Sequence, residues 1–177
     1  MKMKPVRRLV TGHDENGKSR IIMDGPAESV LVMEKMGDLT VTDFWETTEA
    51  PAGNTGDEDN ADRPIHLEPT PTGTIYRIVD FPPDSAWKDG VDGAEAFAQL
   101  QAAHAADRDA ADPAMHKTAT VDYAMVLAGE IWAVMDTEER LMKAGDVLIQ
   151  RGTNHAWANR TDEFCRMMFV LCGAKAV

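Results

Sequence analysis

MHKTATVDYAMVLAGEI, residues 115–131, and AGDVLIQRGTNHAWANR, residues 144–160, decide the fold of this chain. Both are short apolar runs broken by glycine, and both carry polar groups at fixed intervals: His116, Asp122 and Gly129 in the first, Gly145, Gly152, His155 and Asn159 in the second. In a strand, residues two apart share a face. Thr118 therefore accompanies His116, and Trp157 accompanies His155, whereas Tyr123 turns away from Asp122.

The rest of the chain reads the same way. Residues 5–48 give three or four strands: PVRRLVTG, a turn HDENGKS with the hairpin signal Asn16-Gly17, RIIMDGP, then SVLVMEKMG and LTVTDFWET broken at Gly37-Asp38. Residues 49–64 are polar and acidic, and predict an exposed loop. GTIYRIVDFPP is a strand stopped by Pro82-Pro83. Residues 92–108, DGAEAFAQLQAAHAADR, predict a helix with Asp92 as N-cap and an apolar face including Phe97 and Leu100. VDYAMVLAGEIWAVM, bent at Gly129, then RLMKAGDVLIQ and EFCRMMFVLC complete a run of strands. Many short strands punctuated by Gly, Pro and Asp predict an all-β sandwich or barrel.

At 177 residues the chain is long enough to bury a core, and 44% hydrophobic residues is an ordinary globular share. The formal net charge of −12 works against nucleic-acid binding, because phosphates are repelled. No apolar run approaches the ~20 residues that cross a bilayer. The start, MKMKPVRRLV, is basic with no apolar segment after it, unlike a signal peptide. A cytoplasmic protein without membrane or nucleic-acid partners is the expectation. Cys165 and Cys172 lie on one strand-like run; extended, they are roughly 23 Å apart, beyond the ~7 Å a disulfide allows, and read as buried core thiols.

The two quoted stretches resemble the two motifs of the cupin superfamily. His-x-His, a Glu and a Gly at fixed gaps form the first; Gly followed by Gly-x-x-His-x-x-x-Asn forms the second. The resemblance implies a cupin-type jelly-roll β-barrel with an N-terminal strand extension and one inserted helix. It implies a single domain overall, in which residues 1–114 add strands, acidic loop and helix to the motif region 115–177. It also implies a metal, held by His116, Asp122 and His155. Thr118 stands where the second His belongs, and Asp122 is one methylene shorter than the Glu. Two imidazoles and a carboxylate suit Fe, Mn, Ni, Cu or Zn. The alternative is a metal-free polar cluster in which Asp122 orients a catalytic His155.

The implied function is a small-molecule enzyme acting on an aromatic or acidic metabolite, of dioxygenase, decarboxylase, isomerase or lyase type. Here Trp157, Trp132, Thr118 and Arg151 are the substrate contacts, with Arg151 as a carboxylate clamp. A metal-free sensor or carrier, or an acid–base isomerase, is the other reading. His66, Glu68 and His104 are the candidates to replace Thr118 as ligand, and His104 also the candidate lid residue. Asn159 is expected to hold the turn after the second motif. Cupins resemble one another in pairing barrels through a sheet face, which implies a homodimer.

Overall fold

The computed structural model describes residues 3–177; the first two residues of the basic start lie outside the described residues. An antiparallel hairpin, β1 (Arg7–His13) and β2 (Ser19–Pro26), comes first. Its turn closes on Asp14, whose carboxylate accepts the amides of Asn16 and Lys18, with Gly17 at φ +74°. Then come β3 (Val30–Met33), β4 (Leu39–Thr47) and β5 (Thr74–Phe81), and after α1 (Gly93–Ala98) the strands β6 (Thr120–Ala128), β7 (Glu130–Met135), β8 (Glu139–Lys143), β9 (Val147–Arg151), β10 (His155–Ala158) and β11 (Cys165–Gly173). One six-stranded sheet runs β3-β4-β5-β11-β6-β9, and a three-stranded sheet runs β10-β7-β8. The all-β jelly-roll architecture expected from the motifs is the one observed.

The sheets enclose the core. β11 carries the alternation plainly: Cys165, Met167, Phe169 and Leu171 are buried and point inward between β5 and β6. The chain passes from the large sheet to the small one at Gly129, at φ +80°. A Cβ there would sit 3.1 Å from the Phe164 carbonyl and from Cys165 Cα, so glycine answers both the backbone conformation and the close approach.

The helix is shorter than its sequence suggests. Asp92 caps it as expected, accepting the amides of Ala94 and Glu95, but regular α-helix ends at Ala98. Gln101 turns left-handed at φ +56°, and the Ala102 amide reaches back to the Phe97 carbonyl. Phe97 and Leu100 are buried, which anchors the turn; residues beyond it are drawn to the barrel, where Ala106 bridges His116 and the Lys117 amide bonds the Ala105 carbonyl. Tertiary pairing overrides a run of good helix formers.

The acidic loop is also less free than its composition suggests. Arg8 forms a forked pair with Asp59, Arg20 pairs with Asp57, and Ala61 is wholly buried. Cys165 is buried but Cys172 only partly so, a correction to the pair of core thiols; both are free. Among the described residues no helix is long and apolar enough to cross a membrane.

Asn159 holds the turn between β10 and β11. Its Nδ2 donates to the carbonyls of Phe81 (3.0 Å) and Glu163 (2.8 Å), and its Oδ1 accepts the Thr161 amide and hydroxyl. It is 1% exposed. Asn159→Ala removes these four hydrogen bonds from a buried position, and should cost about 2–3 kcal/mol. Urea unfolding should show a lower midpoint at unchanged slope.

Candidate active site

The barrel interior opens into a cavity of about 110 Å³. Its walls are apolar: Met33, Met36 and Leu39 on one side, Phe81, Trp157 and Phe169 on another, with Phe97 and Leu100 from the helix segment. Four polar side chains interrupt them: His116, Asp122, His155 and Arg77.

The two histidines form one unit. Their backbones pair through two 2.9 Å hydrogen bonds, and their rings lie 4.2 Å apart between centroids at 45°. Each Nδ1 faces a carbonyl two residues back, Ala114 at 2.9 Å from His116 and Thr153 at 3.0 Å from His155. A carbonyl only accepts, so each Nδ1 carries the proton and each Nε2 keeps its lone pair. Burial lowers the pKa of both imidazoles, and for His155, well below its ordinary value, the neighbouring His116 adds to the effect. Near neutral pH the pair is uncharged and acts as hydrogen-bond acceptor. Phe97 packs on His116 at 4.6 Å, and Trp157 meets His155 edge-on at 5.9 Å.

Asp122 lies on β6, in phase with Thr118, Thr120, Ala124 and Val126, all of them buried. Its Oδ1 is buried without a hydrogen-bond partner. Burial pushes the carboxyl up to about 6, against the pull of the Thr120 hydroxyl and the Arg77 guanidinium. Thr118 does not line the cavity; its hydroxyl is 2.7 Å from that of Thr120.

Other expectations change. Trp132 sits out of phase with the buried Ile131 and Ala133 on β7 and stacks under the Arg160 guanidinium outside the cavity. Arg151 is exposed at the end of β9 and clamps nothing in the barrel. His104 is exposed in a turn, 3.1 Å from Glu68; His66 bonds the Glu68 carbonyl and faces Glu46. None of these three lines the cavity.

The metal trio is not assembled. Among the described residues no three His, Cys, Asp or Glu side chains gather at a spacing that could hold a metal ion. The short Asp122 stands where the motif has the longer Glu, and Thr118 is engaged with Thr120. Asp122 does not orient an imidazole either, because backbone carbonyls take that position on both rings.

Sequence reasoning missed Arg77. It is 3% exposed on β5, opposite Asp43 of β4, and the two form a forked ion pair at 2.7 and 3.0 Å. The signal was its phase: Arg77 shares a face with Ile75 and Val79, and a charge there demands a buried partner. Asp43 shares its own face with Leu39 and Val41.

A cupin domain family model matches residues 106–171. Phomopsin biosynthesis cluster protein D of Diaporthe leptostromiformis is 31% identical over 183 residues, covering 99% of this chain and 82% of that protein. The chain belongs to the cupin superfamily. This cupin is also 27% identical to the cupin-domain-containing oxidoreductase virC of Hypocrea virens, over 96% of this chain and 77% of that one. The Schizosaccharomyces pombe Cnp3 cupin domain is similar at TM-score 0.48 and 14% identity, covering 94% of this chain and 87% of that one.

The Asp122 carboxyl sets a pH dependence. Its folded pKa, about 6, lies above its ordinary value of 3.8. Such an acid binds its proton more tightly when folded; its contribution to stability is full below 3.8 and is lost as pH rises through about 6. Asp122→Asn should therefore be the more stable protein at neutral pH, by roughly 2–3 kcal/mol, with the gain vanishing towards the acid end. Urea midpoints across that range check it.

Proposed function

We propose that this cupin is a small-molecule enzyme that moves protons on an apolar, ring-bearing substrate. The observation that carries the reading is Asp122: a buried carboxyl facing an apolar cavity, with one oxygen unpartnered and a pKa raised toward neutrality. A catalytic acid–base group works best with its pKa near the operating pH. The carboxylate takes a proton from the substrate and returns it at a neighbouring atom, so an isomerisation closes without oxidant or reductant. His155 and His116 present Nε2 lone pairs on the same cavity, acceptors for a second substrate hydrogen that fix its pose. Trp157, Phe81 and Phe169 supply the ring wall.

The relatives' names support small-molecule chemistry. Three biosynthesis-cluster proteins and several cupin-domain-containing oxidoreductases are among them. The redox reading needs a third ligand beside the two imidazoles, and the proton-transfer reading uses the groups as they stand. In the same proposal a homodimer covers the outer face of the large sheet, where Tyr76, Tyr123, Leu127, Val147 and Ile149 are exposed.

The test is solvent deuterium exchange. para-Hydroxyphenylacetone carries a ring, a hydroxyl and acidic C–H groups next to a ketone. In deuterated buffer the protein should accelerate loss of those proton signals, and Asp122→Asn should reduce the acceleration about a hundredfold. Exchange at the buffer rate with the ketone bound, or full exchange in Asp122→Asn, would contradict the reading.

A further inference from the structure

The cavity's charges select its ligand. Among the described residues Arg77 is the one cation on the walls; four of its five N–H donors are committed, and its charge is balanced by Asp43. Nε and Nη2 hold Asp43, Nη2 also donates to the His66 carbonyl at 2.6 Å, and Nη1 donates to the Leu67 carbonyl at 3.3 Å. Asp43 is wholly buried and balances the guanidinium. The histidine pair is neutral and accepts through Nε2. The remaining polar group is Asp122, 5% exposed, with a bare Oδ1. A buried oxygen without a donor costs about 1–3 kcal/mol, which a donor arriving with a ligand recovers. No wall group offers an uncommitted positive charge to a carboxylate, and an ionised Asp122 repels one.

We propose that the ligand of this cavity is an uncharged, largely apolar molecule bearing an O–H or N–H donor, which Asp122 Oδ1 accepts, and that the cavity refuses carboxylates. The inference rests on the small-molecule reading above and narrows the expected aromatic or acidic substrate to the uncharged aromatic kind. Arg77 acts as a positioning residue: with Asp43 it fixes the wall rather than binding an anion.

Three probes of one shape separate the possibilities: para-propylphenol has a donor, para-propylanisole has none, and para-propylbenzoate is anionic. Binding is read at neutral pH from tryptophan emission, since Trp157 and Trp87 both line the cavity. The phenol should bind about tenfold tighter than the ether, as expected for a hydrogen bond to a charged group. The benzoate should be the weakest of the three. In Asp122→Asn, which keeps shape and should fold at least as well, the phenol's advantage should shrink to about threefold, that of a neutral acceptor.

Equal binding of phenol and ether would show that water already satisfies Oδ1, and would overturn the inference while leaving the cavity reading intact. So would a benzoate that binds best, or a phenol advantage unchanged in Asp122→Asn. If none of the three binds, the small-molecule reading falls with it.

Discussion

The buried pair between Arg77 and Asp43 is the constraint around which this barrel is arranged. Taking two charges out of water costs several kcal/mol per ion, and only close geometry with further hydrogen bonds offsets it. Here both conditions hold. The residues face each other across β4 and β5, and the guanidinium also ties down the carbonyls of His66 and Leu67. Arg63 reaches the same carboxylate at 2.9 Å and also bonds Glu46, so the end of the acidic loop is bound to the same anchor. One pair thus registers two strands, fixes the segment that crosses them, and cancels the charge that would otherwise make the cavity an anion site.

What remains inside is a nearly neutral, apolar chamber with acceptors. The histidines are held by the same device used twice, a backbone carbonyl two residues back on Nδ1. That device leaves both Nε2 lone pairs free. The carboxyl of Asp122 is raised for a plain reason: the barrel removes its water and returns few donors. Apolar walls, acceptor imidazoles and a carboxylate with one bare oxygen suit a substrate that brings its own hydrogen.

Much of the fold was legible because β-strands write their burial in alternate residues. β11 shows it in Cys165, Met167, Phe169 and Leu171, and Gly129 marks the passage between sheets. His116, Asp122, His155 and Trp157 were legible from motif spacing and meet at the cavity. Trp132 and Arg151 were assigned by nearness in sequence, and strand phase sends both outward. Arg77 and Asp43 are 34 residues apart, so only the pairing of β4 with β5 brings them together; each alone looked like an ordinary strand charge. The helix ended early because Phe97 and Leu100 found the core before propensity could carry the next ten residues.

The most direct test of the account is a crystal structure of the protein soaked with para-propylphenol. The account places the ring against the wall formed by Trp157 and Phe169, with the phenol oxygen within hydrogen-bonding distance, about 2.5–3.0 Å, of Asp122 Oδ1. A ring lodged elsewhere, or seated in the barrel with its hydroxyl turned from Asp122 and toward Arg77, would contradict it.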